Sequence, residues 1–304
     1  MKYQIIANPV AGKGHAAVLI PQFTEYLRSR GMDFEVVLTE RPGHAYDLAI
    51  AAVNAGMDVV VAAGGDGTMN EVLNGLFFAQ ENGLGEVILG ALPIGRGNDF
   101  SFGVGVPHTL TEACDALLAA KQIRIDLGRI TGGLFPGGKI FGNGVGIGFD
   151  TMVGFEANRM NHLRGFLPYL VGALKTLFTY SKAPKVQLEL DDETIILPAL
   201  MVSIMNGKRM GGTFMMAPHS QPDDGVFDLC IADQVTKPQI LLLITRFIKG
   251  DQETHPAIRF RKSKSVKITA LEGTLPCHAD GETICEAGNT LSVELLPARL
   301  SVIV

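Results

Sequence analysis

The sequence predicts an α/β protein in two parts: an N-terminal parallel sheet with helices on both faces, then a C-terminal, mostly antiparallel β-sandwich domain. Three observations carry this. Over residues 1–125, short apolar runs alternate with helix-period segments, the pattern of βαβ units. From about Ile123, strand-like runs dominate, broken by turn clusters at Gly132-Gly133, Pro136–Gly138, Asp191-Asp192, Asp223–Gly225 and Asp280-Gly281. Val59–Ala63, finally, has no polar face and so reads as a parallel strand covered on both sides.

In chain order, Tyr3–Ala7 is an apolar strand, Asn8–Gly14 a loop, and Ala16–Arg30 a helix stopped by Gly31. Phe34–Thr39 is a second strand, and a helix over about Ala45–Ala55 ends at Gly56. Val59–Ala63 follows, then the turn Gly64-Gly65-Asp66-Gly67-Thr68. Val87–Leu92 is the next strand, Pro93–Phe100 its loop, and Leu110–Lys121 a helix. In the second part Gly142, Gly144, Gly146 and Gly148 recur at period two, leaving one strand face without side chains and demanding a close neighbour. Helical inserts are expected at Leu163–Ser181 and Pro238–Lys249. A sandwich or a partly open barrel accommodates the remaining strands.

The turn after Val59–Ala63 carries the chemistry. Its glycines let a backbone approach a ligand closely, and Thr68 followed by Glu71 fits a capping box, so a helix is expected to start there and run to about Phe78. Strand, glycine turn and helix N-terminus form an anion site. Asp66 has the wrong sign for a phosphate unless a divalent cation sits between them, which points to a Mg²⁺-nucleotide; the alternative is a carboxylate that bonds nearby backbone. The Asn8–Gly14 loop is not a Walker A loop, and Gly95-Arg96-Gly97 does not complete a GxGxxG.

Composition narrows the class. Hydrophobic residues make up 47% and charged residues 19%, as in a well-buried globular chain, and a net charge of −5 gives no reason to expect a nucleic-acid partner. Cys114, Cys230, Cys277 and Cys285 lack metal-type spacing, and the chain enters a strand without a leader, so a reducing cytoplasm is expected. No 18-residue apolar run is free of charge, so no transmembrane helix is expected. Between Glu156 and Glu189 there is no acid, while Arg159, Arg164, Lys175, Lys182 and Lys185 interleave with apolar residues such as Phe166, Leu174 and Phe178. Such a segment suits an anionic membrane surface, or a helix packed on the second domain with lysines at its rim. Arg261, Lys262, Lys264 and Lys267 form a second basic cluster.

Several segments together resemble the diacylglycerol kinase catalytic family, specifically its soluble bacterial lipid kinases. They are Asn8–Gly12, Gly64–Glu71, Pro93–Phe100, Asp126–Gly128, Gly144–Asp150, Pro222–Gly225 and Asp280–Glu282, in the family's order and across nearly the whole chain. The resemblance implies a phosphofructokinase- or NAD kinase-like nucleotide domain at 1–125, to which a strand at about 295–304 returns, and a β-rich acceptor domain at 126–294. It implies an ATP- and Mg²⁺-dependent kinase acting on a lipid hydroxyl, most simply that of diacylglycerol, at the membrane surface and peripherally bound to it. Asn8, Thr39, Gly65, Asp66, Gly67, Thr68, Met69, Asn70 and Glu71 would contact the nucleotide, with Asp66 serving its Mg²⁺. Glu282 would be the general base. Asp224, with the carbonyls of Gln221 and Val226, would bind a structural Mg²⁺, and Asp99 and Asp126 would support the polar network. Arg96 stands where the family usually has Thr; because its loop follows a sheet strand, it is expected at the phosphate end of the nucleotide site. A kinase for a soluble acceptor such as NAD and a non-catalytic nucleotide- or lipid-binding protein are the competing readings. The sequence leaves the oligomeric state open, a homodimer included.

Overall fold

The structure, a computed structural model, describes residues 1–160, 167–179 and 182–304. It divides into two compact units, Met1–Leu127 with Pro297–Val304, and Gly128–Leu296.

In the first unit, β1 (Tyr3–Ala7), β2 (Phe34–Leu38), β3 (Val59–Gly64) and β4 (Ile88–Pro93) form a parallel sheet in the order β2-β1-β3-β4, with Tyr3 opposite both Phe34 and Val59. The helices are α1 (Ala16–Ser29), α2 (His44–Asn54), α3 (Asp66–Glu81), α4 (Asp99–Val104) and α5 (Leu110–Ala119). β1 and β3 are buried along their whole length, as strands without a polar face must be. α2 and α3 pack so closely that a Cβ on Gly75 would lie 2.6 Å from the Tyr46 carbonyl oxygen.

The second unit contains the rest of β5 (Gln122–Gly132), β6 (Phe135–Phe141), β7 (Gly144–Gly148), β8 (Lys185–Glu189), β9 (Thr194–Met205), β10 (Phe227–Asp233), β11 (Ile258–Ser263), β12 (Ser265–Glu272), β13 (Leu275–Ala279), β14 (Glu282–Gly288) and β15 (Thr290–Ile303). The antiparallel order is β14-β13-β7-β9-β8-β12-β15, with β10 pairing β9 and β11, and β5 pairing β6. One core, including Phe141, Val202, Phe227 and Val266, fills the interior between strands. A second core lies under α6 (Phe149–Asn158), α7 (Leu167–Thr179) and α8 (Lys237–Lys249) and includes Phe149, Leu177, Leu243 and Phe247. The end of β15 belongs to the first unit, where Val302 lies opposite Leu89 of β4, in parallel.

The α/β fold with an antiparallel sandwich is thus the one the periodicity predicts, with local differences. α3 begins at Asp66 rather than after a Thr68 cap, and it continues to Glu81. Gly65 is its N-cap and Thr68 lies inside the helix. α4 starts within the expected loop Pro93–Phe100, and α6 forms where no helix was predicted. The expected helix Leu163–Ser181 is seen as Leu167–Thr179; its remaining residues, Arg164 and Phe166 among them, lie outside the described residues. The glycine strand has the close neighbours its period demands: a Cβ on Gly144 would lie 2.7 Å from Met205 Sδ, and one on Gly146 would lie 2.5 Å from His278 Nε2.

Candidate active site

The glycine turn of the first unit is built by three loops that hold one another. The Asp66 carboxylate accepts backbone N–H groups from Asn98 (2.7 Å), Asp99 (2.6 Å) and Phe100 (3.4 Å). It therefore ties the turn after β3 to the loop after β4 and caps α4. Asn98, in the left-handed region at φ 54°, completes that loop: its Oδ1 accepts from Gly95 N and its Nδ2 donates to the Pro93 carbonyl. Gly65 and Gly95 meet backbone to backbone, and a Cβ on Gly97 would lie 2.5 Å from Asp66 Oδ2. These glycines are required by loop–loop packing. Gly67 alone in the turn faces open space, so here a ligand has room to reach the N-terminal amides of α3.

Asn8 belongs to the same assembly. Its Nδ2 donates to Thr68 Oγ1 at 3.0 Å, and its Oδ1 accepts from Val10 N. Thr39 continues β2, donating its N–H to the Ala7 carbonyl. Thr68, Met69 and Asn70 are buried, which gives the last two a packing role on the inner face of α3. Glu71 does not complete a capping box. Its carboxylate accepts from Gly43 N (2.9 Å) and Ala45 N (3.0 Å) and so caps α2 from across the helix pair. Arg96 is exposed at the loop tip and makes no ion pair among the described residues.

A divalent cation can be tested against this geometry. Burial raises the Asp66 pKa, and the three amides lower it. A carboxylate offers about four lone-pair directions, so the amides leave little for direct coordination but enough for one water-mediated contact. Asp99 Oδ2 lies 3.5 Å from the same hypothetical Gly97 Cβ, so a second carboxylate faces this place. The pair fits the cation of a bound nucleotide. Asp126 is elsewhere in the network: its Oδ1 accepts the Ala298 N–H at 2.6 Å, pinning β15 where Ala298 adopts φ 46°.

Glu282 lies in the second unit, at the first residue of β14. Its Oε2 pairs with Lys139 Nζ at 2.6 Å, and its side chain keeps 33% of its exposure. The preceding turn is fixed by Asp280, whose carboxylate accepts the N–H groups of Gly142 (2.8 Å), Asn143 (3.0 Å) and Gly144 (2.9 Å). Asp280 and Gly281 both have positive φ, as a tight hairpin requires. Glu282 is thus a reachable carboxylate on a clamped hairpin. Lys139, a single lysine between a glycine pair and an apolar residue, gave no signal in the sequence.

Asp224, expected to bind a structural Mg²⁺, is paired with a lysine in this structure. Its Oδ2 pairs with Lys262 Nζ at 2.9 Å, Asp228 Oδ1 lies 3.6 Å from the same nitrogen, and Asp224 Oδ1 accepts from Val226 N. The ammonium occupies the position a cation would neutralise, and its pKa is raised chiefly by the bond to Asp224. Mg²⁺ bound by Asp224 with the carbonyls of Gln221 and Val226 would have to share this carboxylate with the Lys262 ammonium. No group of three or more His, Cys, Asp or Glu residues among the described residues could hold a metal. The second basic cluster is also largely neutralised: Arg261 pairs with Glu193 and Lys267 with Glu189.

Comparison with known proteins agrees with this architecture. Residues 2–130 match the diacylglycerol kinase catalytic domain, and residues 143–304 match the YegS C-terminal NAD kinase beta sandwich-like domain. Diacylglycerol kinases of Staphylococcus saprophyticus and Staphylococcus epidermidis are each 28% identical, over 92% of this chain and 88% and 85% of their own. A crystal structure of a diacylglycerol kinase from Bacillus anthracis matches with a TM-score of 0.72 at 21% identity, covering 99% of this chain and 96% of that one. Yeast NADH kinase complexed with NADH has the same fold at a TM-score of 0.53 and 12% identity, over 99% and 82%. The chain is a kinase and belongs to the diacylglycerol kinase catalytic family, with the catalytic domain in its first part and the NAD kinase-like β-sandwich in its second.

Proposed function

We propose that this kinase transfers the γ-phosphoryl group of ATP to the hydroxyl of a membrane lipid, diacylglycerol in the first instance. The observation that carries the reading is Glu282, a half-exposed carboxylate held by the Asp280 clamp and the Lys139 pair. Its role as general base follows from the family resemblance, and relatives named diacylglycerol kinase that align over 92% of the chain support the acceptor. Phosphoryl transfer needs positioning and charge neutralisation rather than covalent catalysis. The open amides at Gly67 would bind phosphate oxygens, Asn8 and Thr68 hold the turn in shape, and Asp66 and Asp99 are the residues that would hold a Mg²⁺, which would supply charge neutralisation at the phosphates. Glu282 takes the proton from the acceptor hydroxyl, worth roughly 10²–10⁴-fold.

The test is transfer of labelled phosphate from ATP to vesicle-borne diacylglycerol, other glycerolipids, a sphingoid base and a polyprenol, beside NAD and sugar phosphates. Labelling of a lipid, lost by two or more orders of magnitude in kcat with Glu282→Gln and with little change in KM for ATP, is the expected result. Labelling confined to NAD or a sugar phosphate overturns the acceptor. A loss confined to KM for ATP overturns the role of Glu282.

A further inference from the structure

We infer that the outer faces of α7 and α8 form one surface that inserts into an anionic lipid leaflet. The inference rests on the lipid-kinase reading and names the surface through which the chain meets its substrate's bilayer. Among the described residues, seven of the sixteen exposed large hydrophobic side chains lie on these two helices, Leu167, Val171, Leu174 and Phe178 on α7 and Leu241, Leu242 and Ile248 on α8. The α7 residues recur at intervals of four, three and four, so they form a single stripe. Phe178 is 71% exposed and Leu167 53%. The opposite faces are already spent: Ala173 and Leu177 of α7 and Ile240, Leu243 and Phe247 of α8 share one core. The helices also meet directly at the surface, where Lys237 Nζ lies 5.1 Å from the centroid of the Phe178 ring.

Charge selects the occupant. α7 and α8 contain no acidic residue, while α8 carries Lys237, Arg246 and Lys249. Lys237 and Lys249 make no ion pair among the described residues. An apolar stripe on α7 beside a helix with a lysine at each end suits a leaflet of negative headgroups, where the apolar side chains enter the acyl boundary and the cations stay at headgroup level. Lys175, by contrast, is held by Glu156 at 2.5 Å, so it is not the cation that carries this attraction. α8 was not part of the basic segment in the sequence; it joins the surface through Lys237 at the Phe178 ring and through the core it shares with α7.

The experiment is co-sedimentation of the full chain with sucrose-loaded vesicles, without nucleotide, of phosphatidylglycerol and phosphatidylcholine at 1:1 or of phosphatidylcholine alone. Binding to the anionic vesicles that weakens with salt is expected. The surface-only changes Leu174→Gln with Phe178→Gln, and Leu241→Gln with Leu242→Gln, should each lower it by at least about tenfold. Lys237→Glu with Lys249→Glu should lower it on the anionic vesicles alone. Turnover of a short-chain, monomeric acceptor should survive all three. Unchanged vesicle binding in the apolar variants overturns the proposal, as does equal binding to neutral vesicles. A dimeric parent that becomes monomeric in these variants while vesicle binding persists assigns the stripe to a second copy and also overturns it. Vesicle binding by this surface in a protein that phosphorylates no lipid leaves the surface standing and refutes the lipid-kinase reading instead.

Discussion

Replacing Asp150 by asparagine should stabilise the protein at pH 7 and make its stability depend on pH below that. Asp150 lies beside the glycine strand, accepting from Thr151 N (2.8 Å) and Ser203 Oγ (3.2 Å). Across Gly146 it faces His278, whose Nδ1 is buried without a partner. Burial pushes the Asp150 carboxyl up to about 6 and the His278 imidazole down to about 4. An acid whose pKa rises on folding binds its proton more tightly in the native state, so its cost is absent below about pH 4 and complete above about pH 6. A histidine whose pKa falls has the reverse dependence, with no cost above about pH 6.5 and a full cost below about pH 4. Between those limits the two slopes oppose one another, and their sum is nearly flat. Each displacement corresponds to at most about 3 kcal/mol, and to about half of that once the residual solvent contact of both side chains is allowed for. Cys230 and Cys277, whose thiols the Asp150 charge helps to raise, stay neutral throughout. Urea unfolding from pH 4 to 7.5, monitored through the second unit, should therefore show Asp150→Asn more stable by about 1.5–3 kcal/mol at pH 7. The difference should vanish by pH 4, leaving the variant with the unopposed slope of His278. Parallel pH profiles for variant and parent would refute the reasoning.

Lys262→Met removes the ammonium that Asp224 and Asp228 share and should lower the thermal midpoint in EDTA, with added Mg²⁺ recovering part of the loss. A parent whose midpoint itself rises with Mg²⁺ would contradict the internal ammonium. Glu71→Ala uncaps α2 and should cost about 1–2 kcal/mol in unfolding experiments, where a simple nucleotide contact would leave stability unchanged. Arg96→Thr, at an exposed loop tip, should narrow any preference for ATP over ADP in equilibrium binding; equal ratios would place the guanidinium away from the phosphates.

The elements legible in the sequence are those whose cause is local. Val59–Ala63 could only be a covered parallel strand, and the Asp280-Gly281 hairpin needs nothing beyond two residues at positive φ. The readings that shifted involve groups that find partners far along the chain. Thr68 and Glu71 have the spacing of a capping box, yet Glu71 caps a helix that starts 27 residues earlier, because α2 packs on α3 and brings its bare amides within reach. Asp66 reads as a carboxylate in search of a cation because the three amides that claim it come from Asn98, Asp99 and Phe100, on another loop. Asp224 reads by itself as part of a turn, and its lysine partner is out of sight until β10 and β11 pair and set Lys262 opposite Asp228.

A common physical rule connects these cases. A buried or half-buried carboxylate must be neutralised or hydrogen-bonded, and sequence reveals the demand without revealing what meets it. At Asp66 backbone amides meet it and leave room for a shared cation; at Asp224 an ammonium meets it outright. The same rule separates the two basic clusters. Arg261, Lys262 and Lys267 pair with acids of nearby turns and strands and are neutralised there, whereas Lys237 and Lys249 stand on a helix that itself contains no acid. Among the described residues their charge has no acid to pair with, and this, with the apolar stripe beside them, is what the proposed leaflet surface rests on.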